Sequence, residues 1–348
     1  MVASFSPTAG FALGFDVGGT DAKIGFVSPE GILLHKRVVP TPRGGAAGLV
    51  NGLTEIYLEL QGELHREEIV SAQDCPSLSL QAGQALREDL LCEVVGVDVP
   101  GILDEASGRT IRSANLGWGD FPMREELSET FGVPVVLGHD VRSGAYGEAR
   151  FGAGGKDCFF VAVGTGISAG LILDGKLVSR GGCTGEIGQV LFANPDRDYP
   201  AAYPAFSEAE YVSMEQLASA GFTSVRYCAL SGTDKLSPEA PDSKEVFARE
   251  RRGDALAHHV VETGVQALTE TLAAVVATLG PVPIVIGGGQ SKEGESYLNR
   301  LREATASRLV NVAVPPFTLA KLGSDAQLLG IAAQALDKWE GTLAATTC

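Results

Sequence analysis

One pattern occurs twice in this chain and limits the folds open to it: an apolar strand, a glycine turn and a second apolar strand. The first copy spans Gly14 to Val27 and contains Asp16-Val17-Gly18-Gly19-Thr20-Asp21-Ala22-Lys23. The second spans Ala162 to Leu173 around Gly164-Thr165-Gly166. Recurrence of one unit in 348 residues, more than a single core ordinarily supports, predicts two related α/β lobes. Glycines at such a turn let the backbone approach phosphate oxygens that a Cβ would keep away, and Thr20 adds a hydroxyl donor. Asp16, at the strand end, is suited to hold Mg²⁺ through water. A plain tight hairpin leaves the same sequence trace, so each turn alone is weak evidence. Gly287-Gly288-Gly289, after the buried-strand pattern Val282 to Ile286, is a third place where backbone can lie flat against a ligand.

Around these turns the periodicities alternate. Phe11 to Phe15, Ala22 to Val27 and Ile32 to Val39 read as a β-meander with a turn at Ser28-Pro29-Glu30-Gly31. Helical patterns cover Ala46 to Leu64 and Leu80 to Leu91, and strand patterns Val94 to Val99 and Val133 to Leu137. The latter ends at Gly138-His139-Asp140 and turns into a helix through Glu148, so Asp140 is placed either as a helix N-cap or as a strand-end carboxylate. Cys158 to Val163 is the next strand; Ser243 to Arg252 and Asp254 to Leu279 are long helices. Asn194 to Phe206, rich in Pro, Tyr and Asp, has no period and reads as an insertion loop. The expected division is a first lobe over 1–138, a second over 139–324, and a terminal helix at about 325–340 packing back on the first.

A net charge of −16, with no basic cluster larger than Arg249, Arg251 and Arg252, argues against nucleic acid as a partner. Any nucleotide site must then rely on Mg²⁺ and backbone N–H groups. The cysteines at 75, 92, 158, 183, 228 and 348 are dispersed with no CxxC pair, which suits reduced thiols in the cytoplasm. No secretory leader and no uninterrupted apolar run of about 18 residues is present, so no membrane partner is expected.

Taken in order, DVGGTDAK, VPGILD with SANLGW, the strand ending in His139-Asp140, VGTGISAGLILDGKL, GGCTGEIG, MEQLAS, KEVFARERRGDALA and IVIGGG resemble the ROK sugar kinases along nearly the whole chain. The resemblance implies the two-lobed actin-like ATPase (ribonuclease H-like) fold, with an interlobe active-site cleft. It implies ATP with Mg²⁺, held by Asp16, Gly18, Gly19, Thr20 and Lys23 and by Gly164, Thr165 and Gly166, with Gly288 and Gly289 near the adenosine. Asp140 corresponds to the general base, and Asn115, Glu186 and Glu215 to sugar-binding positions. The resemblance also implies a homodimer or higher homo-oligomer. It implies phosphorylation of a primary hydroxyl, with ordinary hexose kinases and sugar-sensing regulators as the alternatives. The regulators carry a helix-turn-helix domain ahead of the first glycine motif, for which no room is expected here. A catalytically silent scaffold is a further alternative, opposed by retention of Asp16, Thr20, Asp140 and Thr165.

Several positions depart from the family pattern. His139 stands where many members have Asn, and Gln189 where many have a zinc-binding His. The three zinc cysteines fall on Phe206, Glu208 and Ser213. Loss of all four ligands together predicts no zinc site, with the loop 194–206 replacing that clamp by packing. His139 and Gln189 are positions beside the sugar in the family, so an unusual acceptor is expected: an amino sugar of the kanosamine type or a C7 cyclitol.

Overall fold

The computed structural model describes residues 10–65, 93–113, 116–197 and 209–346. The helix predicted at Leu80 to Leu91, Asn115 and most of the 194–206 loop lie outside them.

The chain forms two compact units, one of 1–151, 177–184 and 325–348, the other of 152–176 and 185–324. The first unit therefore continues through 151 instead of ending at 138, and it recovers a short segment at 177–184. Its sheet has the order β3-β2-β1-β4-β7, from β1 (Ala12–Val17), β2 (Asp21–Val27), β3 (Leu33–Pro40), β4 (Val95–Val99) and β7 (Val135–His139). β5 (Ile102–Asp104) and β6 (Arg109–Arg112) form a separate hairpin. The expected meander is β1-β2-β3, antiparallel throughout, while β4 and β7 add in parallel.

Strand alternation gives the sheet two chemically different faces. Leu13, Phe15, Val17, Val95, Val97 and Val99 join a core with α1 (Gly45–His65) and α2 (Met123–Phe131), where Tyr57 stacks on Phe131 at 4.5 Å. The other face carries Gly14 and Asp16 on β1, Gly96 and Asp98 on β4, and Gly138 on β7. It receives α3 (Asp140–Phe151) and the terminal helix α9 (Ala326–Thr346), which runs beyond the expected end near 340. Glycine is required there by close approach. A Cβ on Gly96 would stand 2.4 Å from the Ile331 carbonyl oxygen, and one on Gly330 1.7 Å from that of Ser143. The second of these contacts locks α9 to α3, which is why α3 stays with the first unit.

The second unit repeats the plan in a sheet of order β10-β9-β8-β13-β14, from β8 (Cys158–Val163), β9 (Ile167–Leu173), β13 (Ile284–Gly287) and β14 (Phe317–Leu319), with β10 (Lys176–Val178) at the point where the chain leaves this unit. Here too an antiparallel hairpin is followed by parallel strands. A small hairpin of β11 (Leu191–Ala193) and β12 (Tyr211–Ser213) precedes α4 (Met214–Ala218), α5 (Ala220–Ser231), α6 (Ser243–Arg251), α7 (Ala255–Leu279) and α8 (Gly294–Ala306). The helix expected from Asp254 begins one residue later because the Asp254 side chain caps it, accepting from Leu256 N and Ala257 N. α7 is long and apolar, with most of its apolar stretch buried within the fold.

Candidate active site

In the first unit the register sets Lys23, Asp16, Asp98 and Gly138 side by side on β2, β1, β4 and β7. Asp140 follows immediately at the end of β7. Carboxylates from three parallel strands thus gather at one sheet edge. Lys23 Nζ donates to Asp16 Oδ2 at 2.7 Å. Burial pushes the Asp16 carboxyl above its ordinary range, and the Lys23 ammonium opposes this. Asp98 is wholly buried with Asp16, Asp140 and Ser143 as polar neighbours, and burial raises it much further. Asp98 was not singled out from the sequence, since one Asp in an otherwise apolar strand has no periodic signature; only the register reveals its company.

Asp140 is partly exposed at the start of α3, and its Oδ1 accepts the Val141 N–H at 2.8 Å. It therefore does local capping work while leaving Oδ2 available. Burial lifts its carboxyl to about 6, although Val141 N–H, Arg142 and Lys23 favour the charged form. His139 is buried, with Nδ1 3.1 Å from Asp140 Oδ1. Burial, with Arg142 adding to it, pushes its imidazole down to about 3, so the ring is neutral at physiological pH. Arg142, fully buried two residues after Asp140, donates through Nε to Glu105 and through Nη1 to the Thr184 carbonyl at 3.1 Å. That tie brings 177–184 into the first unit and fixes the start of α3. Neither Glu105 nor Arg142 has a local sequence signature that sets it apart.

The first glycine turn closes by Gly18 N–H donating to Asp21 O at 2.9 Å, and Thr41 Oγ1 donates to Gly18 O at 2.8 Å. A Cβ on Gly18 would meet the Asp21 carbonyl oxygen at 2.7 Å, whereas one on Gly19 would meet nothing within 4 Å. Gly19 and Thr20 are exposed, so this turn presents open backbone to a ligand.

In the second unit, Gly164-Thr165-Gly166 follows β8 and the glycines at 288 and 289 follow β13. Pairing of Ala162 with Gly287 places both turns at the same sheet edge. Gly288 adopts φ +79 and packs against the Val163 backbone, while Gly289 is exposed with open space beyond its Cα. Thr165 is exposed. Glu215, on α4, accepts the Ile167 N–H through Oε2 at 2.8 Å. Glu186 Oε1 accepts from Ser168 Oγ at 3.4 Å, and Gln189 lies exposed on the same short turn, 187–189. Glu215 therefore lies against the second glycine turn, and Glu186 against the strand that leaves it. Asn115 is outside the described residues.

Of the positions where zinc cysteines would fall, Phe206 and Glu208 lie outside the described residues, and Ser213 caps α4 in a reciprocal box with Gln216. The start of the loop is fixed by charge. Buried Asp196 accepts from Arg226 Nε at 2.7 Å and Nη2 at 2.8 Å, and faces His259 Nε2 at 2.9 Å.

A mixed sheet whose strand ends carry glycine turns, repeated in each of two units, defines the actin-like ATPase fold. A ROK hexokinase from Thermus thermophilus is similar over 95% of this chain and 99% of its own, with TM-score 0.72 and 27% identity. A glucokinase of Halalkalibacterium halodurans is 28% identical over 91% of this chain and 92% of its own. The bifunctional enzyme NanE/NanK of Brucella melitensis is 29% identical over 92% of this chain and 53% of its own length. The ROK family model matches residues 79–338, and the chain belongs to the ROK family.

Proposed function

We propose that this carbohydrate kinase of the ROK family transfers the terminal phosphoryl group of ATP to a primary hydroxyl of a sugar or sugar-like cyclitol, with Asp140 accepting the hydroxyl proton. The observation that carries this reading is Asp140 itself: a strand-end carboxylate, partly exposed, whose carboxyl is lifted to about 6 beside two further aspartates. A base in that range is ionised at neutral pH yet basic enough to take a proton as the bond to phosphorus forms. Glucokinase and hexokinase relatives across nearly the whole chain support the reaction class.

In this reading Gly18, Gly19 and Thr20, with Gly164, Thr165 and Gly166, supply N–H and hydroxyl donors to the phosphates, and Gly288 and Gly289 lie against the adenosine. The donor set suits Mg²⁺. Asp16 offers hard carboxylate oxygen, and among the described residues no cluster of three His, Cys, Asp or Glu is arranged to cage a metal directly. Coordination through water then fits better than a protein cage. Held there by Asp16, Mg²⁺ would supply charge neutralisation at the phosphates, and in a loose transition state positioning would outweigh base strength. Lys23 holds the Asp16 carboxylate in place.

His139, Glu186, Gln189 and Glu215 are the acceptor-side groups, with Asn115 as the amide partner. Carboxylates bridging adjacent hydroxyls fix a third for in-line attack. Neutral His139 and exposed Gln189 favour an amino sugar or a C7 cyclitol over glucose.

ADP release from Mg-ATP should be measured with glucose, mannose, N-acetylmannosamine, kanosamine and a valienol-type cyclitol. Preference for one of the last two is expected, and glucose leading by a wide margin would refute that part. With the best acceptor, Asp140→Asn should lower kcat by about 10²- to 10⁴-fold. Unchanged turnover would remove Asp140 from the mechanism.

A further inference from the structure

Glu215 makes a contact that an acceptor-binding role does not require. Its Oε2 takes the backbone N–H of Ile167, the residue that leaves the turn Gly164-Thr165-Gly166. The fit is close: a Cβ on Gly166 would stand 2.5 Å from that oxygen. The other side of the turn is held from the same stretch of chain, with Ala220 N–H donating to Gly164 O at 2.8 Å. Four residues separate these two attachments, the last of them Ser219, which ends α4 and caps α5 by accepting from Phe222 N. A Cβ on Gly221 would come within 2.7 Å of Thr165 O, so α5 also lies directly beneath the turn.

The base of Glu215 is rigid. α4 is fixed at its start by the box of Ser213 and Gln216, and Arg226 Nη1 donates to Leu217 O at 2.8 Å. Arg226 is wholly buried and also grips Asp196, the Val260 carbonyl and Thr263. A side-chain movement of Glu215 is therefore passed to Ile167, because the helix cannot absorb it. Glu186, the other acceptor-side carboxylate, bonds Ser168, the next residue of the same strand.

We infer that Glu215 is a positioning residue for the phosphate turn, and that through it an occupied acceptor site tightens the grip on nucleotide. The inference rests on the proposed roles of Glu215 and of the turn. A carboxylate offers several lone pairs, so one oxygen can serve Ile167 while the other meets an acceptor hydroxyl. An acceptor that orders Glu215 orders the turn, and by linkage the nucleotide must favour acceptor binding equally.

The test is Mg-ADP binding by calorimetry to the full chain, with and without saturating glucose, for wild type, Glu215→Ala and Glu215→Gln. Thermal unfolding establishes that each variant is folded. Without glucose, Glu215→Ala should bind Mg-ADP about tenfold more weakly, because the Ile167 N–H loses its partner. Glu215→Gln, whose amide oxygen can still accept that N–H, should restore affinity to within about twofold. With glucose, wild type should bind Mg-ADP at least about fivefold more tightly, and Glu215→Ala should lose that gain. If Glu215→Ala leaves Mg-ADP affinity unchanged while abolishing glucose binding, Glu215 is an acceptor ligand only and the inference fails, the proposed function standing. If wild type binds no glucose, the acceptor reading fails for that sugar, and the glucose-free comparison of the two variants still decides whether Glu215 braces the turn.

Discussion

At the scale of single residues, the chemistry turns on what burial does to ionisable groups lying close together. Asp140 must be ionised to accept a proton, so kcat/KM should climb about tenfold per pH unit below about 6 and level off above it. The sign reverses for stability. The folded-state value is raised above the ordinary 3.8, so folding favours the protonated acid, and that stability is lost as pH rises from about 4 through about 6. Asp140→Asn should accordingly unfold at a higher temperature than wild type at pH 8, by at most about 3 kcal/mol of stability, with the gap closing near pH 4. Melting curves at both values check this; a variant less stable at pH 8 would show that Asp140 makes compensating contacts in its charged form. The same reasoning explains which site residues the sequence disclosed. Gly18, Gly19, Thr20 and Asp140 stand at strand ends, where composition changes abruptly. Asp98 stands inside a strand, and its importance comes from register with Asp16 and Gly138.

Among elements, two couplings dominate. The packing of α9 on α3 depends on Gly330, so Gly330→Ala should cost about 3 kcal/mol through overpacking. Gly341→Ala in the same helix meets nothing within 4 Å and should instead stabilise by about 0.5–1 kcal/mol through helix propensity. Urea unfolding separates the pair, and equal effects would mean that propensity and not contact governs both. The second coupling is the Asp196–Arg226 pair. Asp196→Ala leaves a buried guanidinium without its counter-charge and should cost about 3–5 kcal/mol. A cost under about 1 kcal/mol would mean that the loop start relaxes toward water. The short strands β5, β6, β10–β12 and β14 carry too few residues to show a period, whereas the long strands β1–β4, β7–β9 and β13, with α1, α6 and α7, are readable from apolar period and caps. Arg226 is not, because Arg within an ordinary helix reads as a solvated face until the fold shows it sealed with no exposure. The loop beginning at Asn194 was likewise recognised as irregular, while the ion pair that anchors it depends on α5 and α7, distant in sequence.

For the molecule as a whole, the two glycine turns disclosed two related units, and the structure shows the same sheet plan in each. The boundary was harder to read. Chain order suggests that a unit ends where a new strand–helix repeat begins, but α3 packs on α9 and Arg142 recruits 177–184 across the sequence. Such a division follows side-chain contacts at long sequence separation, which no local pattern encodes. Charge acts at this scale too, since a surface at −16 repels anions and leaves nucleotide capture to the backbone at the turns.

The interleaving of the units has a consequence for biosynthesis. The helix that covers the glycine face of the first sheet is encoded after the entire second unit. A ribosome therefore delivers strands β1 to β7 long before it delivers their lid, and the second unit can mature while the earlier one waits half-clad. Quality control of this protein is thus concentrated after the second unit has emerged, when one late segment either finds Gly14, Gly96 and Gly147 or leaves its own apolar side, with Leu328, Ile331 and Ala332, exposed to aggregation.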